Sequence, residues 1–131
     1  MKTLTSHINE ALKIGKNLSK FSTYSCQPKN KEELRDIIKS RIDKEYYWCD
    51  LNDIDTSLIT DMSSLFAYSS FTGDISKWDI SNVTNMTYMF IGSSFDGDIS
   101  NWKIPDNCHT AYMFLNCKIK EEHKPKSLQQ K

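Results

Sequence analysis

Cys108 and His109 place a thiol beside an imidazole, the two groups a covalent catalyst needs. A nucleophile must lie within hydrogen-bond reach of its base, and sequence neighbours seldom face each other. Cys108 also falls on a position that is apolar elsewhere in the chain. Asp96-Gly97-Asp98 resembles the start of a calcium loop. An EF-hand needs a Glu at its twelfth position, and counting from Asp96 that place holds Asn107. Asp74 and Asp98 read more simply as turn residues whose carboxylates bond backbone amides. Cys26, Cys49, Cys108 and Cys117 are spaced by 23, 59 and 9 residues, with no C-x-x-C pair. That spacing argues against a zinc or thioredoxin-type motif. Trp78 and Trp102 could stack on bases, but their regular recurrence favours a core role. Two sequons, Asn82-Val83-Thr84 and Asn85-Met86-Thr87, matter only in an exported chain. These residues lead us to expect no catalytic set, no metal site and no cofactor. An enzyme is the least expected class.

The 131 residues suit one domain. Lys plus Arg is 17 and Asp plus Glu is 17, so the net charge is zero. The charges are not evenly spread. Residues 1–46 carry 10 basic and 6 acidic groups, residues 47–117 carry 2 and 9, and residues 118–131 carry 5 and 2. The central block at −7 makes direct nucleic-acid binding unfavourable there. No apolar run of about 18 residues exists to span a membrane. The first ten residues lack the apolar stretch of a secretory signal. A cytoplasmic location and four free thiols are therefore expected.

A repeat dominates the rest. Residues 69–90 read SSFTGDISKWDISNVTNMTYMF and residues 93–114 read SSFDGDISNWKIPDNCHTAYMF, 24 residues on. The offset pairs Phe71 with Phe95, Gly73 with Gly97, Ile75 with Ile99, Trp78 with Trp102 and Phe90 with Phe114. A degenerate earlier copy places Tyr47 on Phe71, Leu51 on Ile75, Ile54 on Trp78, Met62 on Met86 and Phe66 on Phe90. Three units follow, 47–70, 71–94 and 95–118. The segment Asp74–Ile80 is read as a short strand that pairs in parallel with the next unit. The segment Val83–Phe90 has the spacing of a helical or 3₁₀ turn. Gly73 and Gly97 are expected to supply positive φ at the turn. Stacking would bury a ladder of Phe, Ile, Trp and Met.

The string Phe71 to Phe90 resembles the repeats of BspA-like surface proteins, a leucine-rich-repeat family of bacteria and their phages. The resemblance implies an α/β leucine-rich-repeat-like solenoid of parallel strands and helical or 3₁₀ turns. It also implies a binding scaffold rather than a defined activity.

The flanks supply the ends. Residues 30–45 carry Leu34, Ile37, Ile38 and Ile42 at helical spacing, with Asn30 as cap and Glu33 three residues on. This helix is expected to cap the first unit, giving an N-terminal helical segment over residues 1–46. Residues 5–17 suggest a second, weaker amphipathic helix. Residues 119–131 read as a polar, frayed tail.

The binding surface is expected where polar residues vary between units: Asp53 and Asp55, then Lys77 and Asp79, then Asn101 and Lys103. Tyr88 and Tyr112 are aromatic anchors outside the core. The expected function is a non-enzymatic protein-binding module with a protein partner, bacterial or phage-encoded. One alternative is a phage-type inhibitor of a host defence protein, such as a nucleic-acid-guided nuclease, acting through the acidic surface. The other is a virion or assembly component docked through its N-terminal helix.

Overall fold

A computed structural model of the chain describes residues 24–130. The helix expected at residues 5–17 lies outside them. Among the described residues there is one α-helix, α1 (Lys31–Glu45), and two 3₁₀ turns, Glu121–His123 and Lys126–Leu128. No strand or sheet forms among them. The parallel-strand leucine-rich-repeat-like solenoid expected from the sequence is therefore not built. Parallel pairing shrinks to isolated bridges: Cys26 with Ile54, Asp50 with Asp74, Asp61 with Asn85, and Asn85 with His109.

The reason lies in the acids and amides of the repeat. Asp74 Oδ1 accepts from the Ser76 N–H at 2.9 Å, and Trp78 N–H then donates to Ile75 O at 3.1 Å. Asp50 and Asp98 make the same bond to Asn52 and Ser100. Asp55, Asp79, Asp61 and Asn85 repeat the device to Ser57, Ser81, Ser63 and Thr87. Each side chain captures the amide two residues on, which bends the chain before a strand can extend. The reading of Asp74 and Asp98 as turn residues fits this geometry.

The expected helical segment also takes another form. Ser64, Tyr88 and Tyr112 have φ near +57° (57, 59 and 55), one in each unit. Tyr68, Gly92 and Asn116 form a second such set at 56, 62 and 57. A residue in the left-handed region every fourth place cannot belong to a right-handed helix. The segment becomes a run of tight turns, with Leu65 N–H to Met62 O, Ala67 N–H to Ser64 O and Ser69 N–H to Phe66 O.

These coils stack. Phe66, Phe90 and Phe114 lie face to face, with centroids 5.5 and 5.6 Å apart. Phe71 stacks on Phe95 at 6.1 Å. Leu51, Ile75 and Ile99 are buried in register, as are Ile59 with Val83 and Met62 with Met86. Trp78 and Trp102 are buried, and their indole N–H groups donate to Leu51 O at 2.9 Å and Ile75 O at 3.3 Å in the preceding unit. Each Trp thus brings apolar area and satisfies its one donor. Tyr47 departs from the register. It is 45% exposed, whereas Phe71 and Phe95 are 0%. The helix ends on Tyr46 at φ 71°, and the chain enters the core only at buried Cys49.

Gly73 and Gly97 do not take the positive φ expected of them; among the described glycines only Gly92 does. Gly73 is required by close approach instead. A Cβ there would lie 1.8 Å from Cys49 O. At Gly92 a Cβ would meet the Tyr68 ring at 2.5 Å.

Each end of the stack is joined by flanking chain. Asn30 caps α1, its side chain accepting from Glu33 N–H at 2.9 Å, while Glu33 accepts from Lys29 N–H at 2.8 Å. Leu34 and Ile38 of α1 enter the core. Arg41 Nη1 reaches both oxygens of Asp53 at 2.9 Å. At the other end residues 119–130 fold onto the third unit, where a frayed tail was expected. Lys120 N–H donates to Asp96 Oδ1 at 2.9 Å, and Ile99 N–H donates to His123 O at 2.9 Å. Ile119 and Pro125 are buried, Leu128 packs on the core, and Lys124 Nζ sits 5.4 Å from the Phe114 ring centre.

Candidate functional site

Three shallow depressions run into one another along the Trp side of the stack. The first is lined by Arg41, Asp50, Asn52, Asp53 and Lys77. Lys77 also belongs to the second, with Asp79, Asn101 and Lys103 and the edges of Trp78 and Trp102. Asn101, Trp102 and Lys103 pass into the third, which Lys126 closes. The shared residues make this one groove that crosses all three units.

The Asx turns create the groove. They push residues 77 and 101 outward between the turn amide and the buried Trp. The register of the first two units is held here by Lys77 N–H, which donates to Asn52 Oδ1 at 2.8 Å. Asp79 is committed to Ser81, accepting from its N–H at 3.0 Å and its hydroxyl at 2.6 Å. These two bonds hold its carboxyl below the usual range. Lys77, Lys103 and Lys126 have no ion-pair partner among the described residues. Lys77 and Lys103 are the only two cations of the acidic block 47–117, and both line this groove.

The expected site residues therefore divide. Lys77, Asp79, Asn101 and Lys103 come together in the groove. Asp53 lies at its upper end, but its carboxylate is held by Arg41 and by the Ser25 hydroxyl at 2.5 Å. Asp55 is bonded to Gln27 Nε2 at 2.9 Å and stands outside. Tyr88 and Tyr112 lie on the Met–Phe side, stacked at 5.5 Å, and line none of the three depressions. Arg41 and Lys126 join the groove from the flanks. Nothing in the repeat register pointed to them, because neither lies within a unit.

A second exposed feature was also missed. Tyr46, Tyr47 and Trp48 are 62, 45 and 58% exposed and pack on each other, with Trp48 4.9 Å from both neighbours. The signal available was that Trp48 falls where the other units carry Thr72 and Asp96.

The groups that suggested chemistry are engaged otherwise. Cys108 Sγ points at the His109 carbonyl oxygen, at 3.7 Å, not at the imidazole. Burial pushes its thiol up, away from the thiolate that a nucleophile needs. Asp96 Oδ1 accepts from Lys120 N–H and meets His123 Nδ1 at 3.0 Å. Asp98 is bonded to Ser100. Among the described residues no three His, Cys, Asp or Glu side chains gather as a metal site. No described helix is long and apolar enough to cross a membrane.

No curated protein and no solved structure matches the chain. A family model described as "Mycoplasma protein of unknown function, DUF285" matches residues 35–125, from α1 through all three coils to the C-terminal turns, and the chain belongs to that family.

Proposed function

We propose that the chain is a non-enzymatic protein-binding module whose groove receives an acidic segment of a partner protein. The observation that carries this reading is the placement of Lys77 and Lys103. In a block with 9 acids, its two cations line one continuous groove, with Lys126 following. Asn101 and the serines beside it add hydrogen-bonding groups without further charge. A partner carboxylate here gains charge-assisted hydrogen bonds from ammonium groups that have no ion-pair partner among the described residues. A nucleic-acid backbone carries a charge at every nucleotide and sets several of them against the surrounding acids, whereas a short acidic segment need place only a carboxylate or two on the lysines. The likeness of residues 71–90 to BspA-like repeats supports a scaffold whose surface, rather than its core, sets the partner. Four thiols with no disulfide among them support a reducing, cytoplasmic setting.

The test is affinity purification of the tagged chain beside its Lys77→Glu/Lys103→Glu variant, from the producing cell's lysate at low and moderate salt. A stoichiometric partner retained by the wild type and lost from the variant is expected, with binding weakened by salt. A defence protein as partner would support an inhibitor, and a particle component would support an assembly role. A partner held equally by both forms would move the binding surface elsewhere.

A further inference from the structure

The Met–Phe side of the stack is polar along its axis. In the first unit, the N–H groups of Met62, Ser64, Phe66 and Tyr68 donate forward to Asn85, Thr87, Met89 and Ile91 O. In the second, Met86, Tyr88, Phe90 and Gly92 donate forward to His109, Ala111, Met113 and Leu115 O. These donors all face one way and the acceptors all face the other. The left-handed residues described above make this possible, because alternate amides are turned to the same edge. At the first unit Lys31 Nζ meets the carbonyl edge at Ser63 O, 3.3 Å away. At the third unit the corresponding donors are the N–H groups of Thr110, Tyr112, Phe114 and Asn116. None has an acceptor among the described residues. The C-terminal turns close the Trp side and place Lys124 on Phe114, yet Tyr112 stays 61% exposed.

We infer that this row of amides, with the open face of Tyr112, docks a repeat coil of the same class carried by another protein. An extended strand does not fit, since each of its edges alternates N–H with C=O and would set donor against donor. Between flanking bonds that run the other way, such as Thr84 N–H to Thr60 O and Ser94 N–H to Ser69 O, the occupant must offer acceptors at these four positions, in step, with a ring over Tyr112. The molecule itself displays that complement twice, where coil meets coil and Tyr88 covers Tyr112. On this chain's own carbonyl edge Ser63 O is taken by Lys31 Nζ, with α1 packed beside it, which disfavours a second copy as the occupant. This surface is separate from the groove, and its failure would leave the groove untouched.

The probe is a synthetic peptide of residues 83–94, which carries the carbonyls of Asn85, Thr87, Met89 and Ile91. Titrated into the ¹⁵N-labelled full chain to about 1 mM, it should shift the amide protons of Tyr112, Phe114 and Asn116 downfield. The Lys77 and Lys103 amides should stay in place. Tyr112→Gly keeps the N–H and suits the positive φ, so it should fold and weaken binding by about fivefold. Lys103→Glu should leave binding unchanged. The inference is overturned by no shift, by shifts confined to the groove, or by equal shifts from acetate alone, which would mark a simple anion site. Protection of these amides from exchange in the free chain would also overturn it. So would peptide-independent shifts that grow with protein concentration, which would make a second copy the occupant.

Discussion

The two ends of the stack are closed by different materials. The first coil is covered by a capped helix that inserts Leu34 and Ile38 into the core and clamps Arg41 onto Asp53. The third is closed on its Trp side by two single 3₁₀ turns, held through Asp96, Lys120 and His123. The helical end rests on apolar burial and on a guanidinium that stays charged at every ordinary pH. The other end pairs a carboxylate with an imidazole, a cation that loses its charge in the physiological range. A repeat stack therefore does not need like closures. It needs only that the apolar column of Phe and Ile be removed from water at each end.

The largest effect should come from between the ends. Trp78→Ala removes a buried indole and its bond to Leu51 O, and should cost about 3–5 kcal/mol by denaturant unfolding. An equally stable variant would break the register on which the comparison stands. Next comes Leu34→Ala at the helical end, with an expected loss of about 3 kcal/mol. Ile119→Ala at the other end should lose less, about 2 kcal/mol, because the surrounding short turns can collapse into the space. The reverse order would show that the C-terminal turns are the stronger closure.

Proton titration sharpens the contrast further. The hydrogen bond to Asp96 raises the His123 pKa above 6.5. Its contribution is thus fully present below 6.5 and is lost as pH rises through the raised value. Burial pushes the Asp96 carboxyl up, but the Lys120 amide and His123 outweigh it and hold it below 3.8. Its contribution is present above 3.8 and fades as pH falls through the lowered value. Corrected for the base-catalysed intrinsic rate, protection of the Lys120 amide from exchange should therefore be greatest in mildly acidic solution and should fall above neutrality, while protection of the α1 amides shows no such fall. His123→Ala should abolish the alkaline part of that profile. The smallest effect is expected at Asn116, whose φ of 57° suits glycine. Asn116→Gly should change stability by no more than about 0.5 kcal/mol, read from the thermal midpoint.

Much of this architecture is legible in the residues. The 24-residue register, the buried Phe, Ile and Trp positions, and the Asn30 cap of α1 all follow from spacing and side-chain type. The backbone form within a unit was misread because the alternation of Asp74-Ile75-Ser76 suits a strand as well as a turn. What decides it is a side-chain carbonyl or carboxylate oxygen two residues before a free amide, as at Asp74, Asp79 and Asn85. Val83–Phe90 misled for a related reason. Its apolar spacing is helical, but nothing in the identity of Tyr88 announces a positive φ. Of the site, Lys77, Asp79, Asn101 and Lys103 could be grouped because they share unit positions. Arg41 and Lys126 could not, since only the folding of the flanks brings them alongside.

The register has one more consequence, for the order in which the molecule is made. Nearly every bond between coils joins residues about one unit apart, as from Thr84 to Thr60 and from Ser93 to Ser69. Contacts this local favour rapid folding. The helix that closes the first coil precedes it in the chain, so a growing polypeptide leaving the ribosome has its foundation before its first storey. Each later coil then condenses on a finished surface, without waiting for a distant segment. Assembly of this protein can keep pace with its synthesis, one coil at a time.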